Sequence, residues 1–167
     1  MATPRPDRPR PTFTRAVLWS GLASGGVFLI LVLVLPAVFG GEATLGPPRM
    51  IGGLVVAQDP HMLTTGIIIA GVIGHFFLSL LFAFILALVV YRLSPQAALG
   101  VGVLYGAALY LLNFYAMAVA FPWFADFRGL ATLVSHLAFG ATAAWVFKRL
   151  HARERSVQPA GAAAGLR

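Results

Sequence analysis

Few residues in this 167-residue chain could do chemistry, and they sit in apolar company. Two histidines interrupt long hydrophobic runs: His75 in GVIGHFFLSLLFA and His136 in LVSHLAFGA. An imidazole in such a run needs a hydrogen-bond partner or a ligand, because an unpaired polar group is costly where no water reaches it. Ser79, Tyr110 and Asn113 belong to the same kind of stretch. Three readings of this polar set stand side by side. In the first, His136 bonds Asn113, His75 bonds Tyr110 or Ser79, and the network fixes helix register. In the second, His75 and His136 are the axial ligands of a b-type haem, since haem iron takes axial histidine. In the third, a quinone or other lipid-like ligand lies against these groups, or a proton or solute path passes them. Ionisable residues inside a membrane are functional candidates by default.

Little else supports catalysis. The chain has no cysteine, which removes disulfides, thiolate metal sites and cysteine nucleophiles. No apolar stretch holds an Asp, Glu, Lys or Arg in its interior, and the glycines follow no phosphate-loop pattern. Glu42, Asp59 and His61 could meet at a metal, but their irregular spacing fits a solvated loop better. The expectation is a protein that is not an enzyme.

The elements that must position these groups follow from composition. Hydrophobic residues make up 59% of the chain and charged residues only 10%, against about 25% charged in soluble domains. A bilayer crossing needs roughly 20 apolar helical residues. Four stretches qualify: Ala16–Phe39, Leu63–Val90, Ala97–Phe121 and Leu130–Phe147. The first is longer than a signal-peptide core and no clear Ala-x-Ala site follows it, so it is expected to stay as an anchor. The fold class expected is an all-α integral membrane four-helix bundle.

A net charge of +7 would suggest nucleic acid in a soluble protein. Here the distribution explains it. Arg5, Arg8, Arg10 and Arg15 precede the first span, Arg92 lies between the second and third, and Lys148, Arg149, Arg153, Arg155 and Arg167 follow the fourth. Only Arg49 and Arg128 fall on the other side. The positive-inside rule therefore puts both termini in the cytoplasm, and no nucleic-acid partner is implied. A secondary hold on anionic lipid by the basic tails is open.

Residues 1–12 are rich in Pro and Arg and are expected to be a disordered basic tail. Residues 13–150 form the membrane domain, and 151–167 a flexible basic tail. In the first outer loop Gly46-Pro47-Pro48 marks a turn or helix start, and Met50–Ala57 is too short to span. That piece is expected to be interfacial or re-entrant. The short link Arg92–Gln96 predicts that spans two and three are antiparallel neighbours. The outer turn FPWFADFRG places Trp123 with Phe121, Phe124 and Phe127 as an interface belt, with Asp126 and Arg128 able to pair.

Small residues recur every four positions: Gly21 and Gly25, Gly102 and Gly106, Gly66, Ala70 and Gly74, and beside these Gly71, His75, Ser79 and Ala83. The fourth span has Thr132, His136, Gly140 and Ala144. Such stripes let helix backbones approach closely in lipid. GHFFLS at 74–79 and SHLAFG at 135–140 hint at two hairpins related by an axis along the membrane normal. At 1.5 Å per residue, His136 lies roughly 9 Å and Asn113 roughly 12 Å from the outer edge, with Tyr110 and His75 near 16–18 Å.

YGAALYLLNFYAMAVAFPWFADFRGLATLVSHLAFGATAAWVFKRL, together with PPRMIGG and GHFFLSLLFA, resembles a family of small, uncharacterised four-span bacterial inner-membrane proteins. The likeness rests on LLNFY, FPWFA-x-x-R and H-L-x-F-G, and matches Asn113, Trp123, Arg128 and His136. Some members carry a sodium:proline symporter label, though four short spans cannot supply that symporter fold. The resemblance implies a multi-pass protein of the bacterial inner membrane and transfers no activity. The function expected is a structural or accessory subunit in the lipid bilayer that packs as a homo-oligomer or against a larger membrane complex. The alternatives are a haem- or quinone-binding electron-transfer subunit and a small oligomeric transporter.

Overall fold

The structure, a computed structural model, describes residues 13–39, 46–56 and 64–155. The 1–12 tail, the Glu42, Asp59 and His61 trio and residues 156–167 lie outside the described residues. Among the described residues six α-helices follow one another: α1 (Phe13–Val38), α2 (Gly46–Val56), α3 (Thr65–Val90), α4 (Pro95–Leu111), α5 (Met117–Ala120) and α6 (Leu130–Arg155). A π-helical turn, Leu112–Ala116, joins α4 to α5, and a 3-10 turn, Pro122–Phe127, precedes α6.

Among the described residues, four helical segments are long and apolar enough to cross a membrane: Phe13–Val38, Thr65–Val90, Pro95–Ala120 and Leu130–His151. Twenty-six residues of helix reach about 39 Å, more than the roughly 30 Å hydrocarbon core. The chain is a polytopic, all-α membrane protein. Its outward faces are apolar, with Ile30, Phe77, Leu104 and Val119 exposed as lipid-facing side chains are. The starts of two spans are capped. Thr64 Oγ1 accepts from the Ile67 N–H and Ser94 Oγ from the Ala97 N–H, with Pro95 in the first turn of α4.

Small residues decide which helices meet. A Cβ on Gly102 or Gly106 would collide with the carbonyls of Gly140 or His136, so α4 lies backbone to backbone on α6. A Cβ on Gly21 would stand 2.9 Å from Leu80 Cα, and one on Gly25 2.7 Å from Ser79 Oγ, so α1 also lies close to α3. The long α1–α6 contact joins the two hairpins. Spans two and three are therefore not the neighbours their short link predicts: α3 and α4 touch little. Each is drawn to its own glycine seam instead, α3 onto α1 and α4 onto α6. The same asymmetry breaks the expected two-fold relation, which would make the α3–α4 contact the equal of α1–α6.

The end where α1 begins and α6 finishes is the closed end. There Ala16, Val17, Ala83, Leu86, Val90, Ala98, Ala144 and Phe147 from all four spans form one buried cluster. Lys148 Nζ donates to the Val90 and Tyr91 carbonyls, holding α6 on the end of α3. Helix α6 continues through 151–155 rather than loosening after Leu150, because its last turns are made of good helix formers and His151 stacks on Phe147 at 5.3 Å.

Toward the other end α2 lies against the first half of α3. Gly71 faces the Pro48 carbonyl, Gly52 faces the Ile67 carbonyl, and a Cβ on Gly74 would stand 2.8 Å from Ile51. The segment expected to be interfacial or re-entrant is thus a helix paired with α3 from Ile67 down to Gly74. The aromatic turn closes over it. Phe124 is buried with Met50, Tyr110 and Phe114, so this member of the anticipated belt points inward.

Candidate functional site

Between α3 and α4 lies a half-open cleft, whose empty space amounts to about 480 Å³ when its open side is included. Each wall follows from a feature of the sequence. Phe28 of α1 and Phe139 of α6 form the back, where the α1–α6 contact is continuous. His75, Leu78 and Ser79 of α3 form one side, and Leu109, Asn113 and Phe114 the other. Met50 and Ile51 of α2 form the roof. Phe82 is the floor, fixed there by Tyr105, whose hydroxyl donates to the Phe82 carbonyl at 3.1 Å across the α3–α4 gap. The remaining side lies between α3 and α4, which touch little.

Four of the five polar groups singled out in the spans line or border this cleft: His75, Ser79, Asn113 and His136. His136 and Asn113 do pair, Asn113 Nδ2 lying 3.2 Å from His136 Nε2. The proton positions follow from the partners. His136 Nδ1 is 2.8 Å from the Thr132 carbonyl, which can only accept, so Nδ1 carries the hydrogen. In the neutral ring Nε2 is then bare and accepts from the Asn113 amide. His75 does not bond Tyr110. Its Nε2 lies 2.9 Å from the Gly25 carbonyl on α1, with Ser79 Oγ at 3.5 Å. Ser79 itself donates to the His75 carbonyl at 2.8 Å. Tyr110 serves the far end of the bundle, its hydroxyl accepting from the Gly129 N–H at 3.3 Å. The depth estimate failed for this pair because a backbone carbonyl one helix away can satisfy an imidazole as well as a side chain can.

Asn113 stands in the π-helical turn. Such single turns are rare and occur often at functional sites. This one is tied by Arg128, whose Nε donates to the Phe114 carbonyl at 2.7 Å and whose guanidinium lies 4.3 Å over the Tyr115 ring. Arg128 therefore does not pair with Asp126, which is exposed on the turn. Trp123 is half-buried with its ring 5.4 Å from Phe121.

Phe28, which nothing in the sequence distinguishes from other apolar residues of its span, is central. Its ring stacks on His75 at 5.2 Å and meets His136 edge-on at 4.8 Å. Two histidines ligating one iron must present nitrogens on opposite sides of it, at metal–nitrogen distances of about 2 Å. Here the Phe28 ring packs against both imidazoles and both Nε2 atoms are engaged. The arrangement does not fit a haem held by His75 and His136. Among the described residues no three His, Asp or Glu side chains gather where they could hold a metal ion.

Of the small residues, Gly21, Gly25, Gly71, Gly102, Gly106 and Gly140 are buried at helix contacts, Gly74 faces α2, and Gly66 is exposed. Comparison with family models, with characterised proteins and with solved structures returned no match.

Proposed function

We propose that this protein is a non-enzymatic structural or accessory subunit of the bacterial inner membrane, with both termini in the cytoplasm. The observation that carries the reading is that the cleft is blind. Below the Tyr105–Phe82 bond the apolar cluster of all four spans fills the bundle to its closed end, which leaves a single chain no polar route for a solute. The imidazoles support it too, since each makes a contact that sets helix register: His75 joins α3 to α1, and His136 joins α6 to the π-turn. The distribution of Arg and Lys supports the orientation.

The test is the state of the full chain in its membrane. Cross-linking in intact membranes, followed by mild-detergent extraction and light scattering, should give a discrete homo-oligomer or a stoichiometric complex. A particle that is monomeric at every concentration, with no cross-linked species, would refute the subunit reading.

A further inference from the structure

We propose that the cleft between α3 and α4 binds an uncharged lipophile carrying a hydroxyl group, a phenol or a long-chain alcohol, which enters sideways from the bilayer. This goes beyond the subunit role and does not depend on it. Small-molecule sites are concave and mostly apolar, with a few placed polar groups. This cleft has that lining, with His75, Ser79, Asn113 and His136 as its polar members.

The polar groups at its wall select the ligand. The hydrogen on His75 Nε2 goes to the Gly25 carbonyl, so in the neutral ring Nδ1 is a bare acceptor, and no partner meets it among the described residues. Asn113 uses one amide hydrogen on His136, which leaves its second amide hydrogen and Oδ1 without partners. Ser79 Oγ has already given its hydrogen to the His75 carbonyl and retains lone pairs. The wall thus offers three acceptors and a single donor hydrogen. A carbonyl or ether oxygen could use only that one hydrogen. A hydroxyl can donate to an acceptor and also accept from Asn113. No charged side chain lines the cleft, so neither a carboxylate nor an ammonium has a counter-ion there. Phe28, Phe82, Phe114 and Phe139 supply faces for a ring, and the open side leaves a tail in lipid.

The proposal is tested with the full chain in phosphatidylcholine nanodiscs and radiolabelled para-nonylphenol, its methyl ether and a straight-chain alcohol of equal length. Retention is measured above that of protein-free discs. The phenol should bind saturably, with the ether at least roughly fivefold weaker, the worth of one donated hydrogen bond. Alcohol binding as tight as phenol would assign the occupant to chain alcohols, and weaker binding to ring phenols. Leu78→Trp, which fills the cleft and leaves the polar groups in place, should remove retention of both while the particle stays monodisperse. Asn113→Leu should shrink the difference between phenol and ether. Equal retention of phenol and ether by the wild-type protein, or no saturable retention at all, would overturn the proposal, as would undiminished binding by a folded Leu78→Trp protein. The accessory role would survive each of these results, because it is judged by assembly state alone.

Discussion

The imidazole of His75 donates from Nε2 to the carbonyl oxygen of Gly25, 2.9 Å away on a helix fifty residues earlier in the chain. The approach exists because Gly25 has no side chain, since a Cβ there would lie 2.7 Å from Ser79 Oγ. A helical carbonyl has two lone pairs, so Gly25 can serve its own helix and His75 together. The glycine seam and the polar network are thus one device, the first permitting the distance the second requires.

That device predicts the order of substitutions at His75. Glutamine keeps an N–H that can reach the Gly25 carbonyl and should cost little. Leucine keeps the bulk and loses the bond, at about 0.6 kcal/mol, the average for hydrogen bonds between membrane helices, and at most about 1.7 kcal/mol. Reversible unfolding in mixed micelles measures the difference. A leucine variant as stable as glutamine would show that the bond adds nothing to stability.

The seam between α4 and α6 should be less forgiving. A Cβ at Gly106 meets the backbone carbonyl of His136, and one at Gly102 meets that of Gly140, and backbone cannot swing aside as a side chain can. Gly106→Ala and Gly102→Ala should each destabilise by about 1–3 kcal/mol, in the range of overpacked cores, and the leucine variants by more. Leu104, two residues from each and 71% exposed on the opposite face of the helix, should accept alanine with no measurable loss. Melting of detergent-solubilised protein separates the two classes. Tolerance at Gly106 would mean that α4 and α6 can slide apart.

The spans were legible because uninterrupted apolar length leaves a chain few alternatives, and the glycine seams because spacing of four keeps residues on one face. Depth arithmetic brought His136 and Asn113 together for the same reason. The partner of His75 was not legible, since it is a backbone atom, and backbone atoms carry no letter. Phe28 was hidden among interchangeable apolar residues, and the π-turn leaves no pattern in LLNFY. The cleft follows from what α3 and α4 do not do. Loop length suggested a contact, but the seams on α1 and α6 pull these helices apart.

Arg128 should act as a clamp on the π-turn. Its Nε bonds the Phe114 carbonyl while its plane covers Tyr115, a combination that lysine's point charge cannot reproduce. Arg128→Lys should therefore behave like Arg128→Ala. Hydrogen exchange of amides 112–116 should rise several-fold in both, with amides of the closed end unchanged. Protection retained in the lysine variant would show that charge near the turn suffices.

Orientation rests on the basic residues and can be read by reporters. Fusions after Arg92 and after Arg155 should report cytoplasm, and one within the 42–59 segment the opposite side. Replacing Arg5, Arg8, Arg10 and Arg15 together should weaken the bias of the first span. A cytoplasmic signal from the 42–59 segment would invert or dismantle the topology.

The bond between Asn113 and His136 offers the sharpest energetic test, because removing one partner differs from removing both. Asn113→Leu strands the bare Nε2 of His136 in an apolar wall and should cost about 1–2 kcal/mol. His136→Phe keeps a ring against Phe28 and removes the acceptor, though it also gives up the Thr132 contact at 2.8 Å. On that background no acceptor is left to strand, so Asn113→Leu should cost distinctly less than it does alone. Unfolding free energies of the two single variants and the double variant close the cycle. If the effects simply add, the 3.2 Å contact carries no coupling, and the register of α6 against the π-turn is set by packing alone.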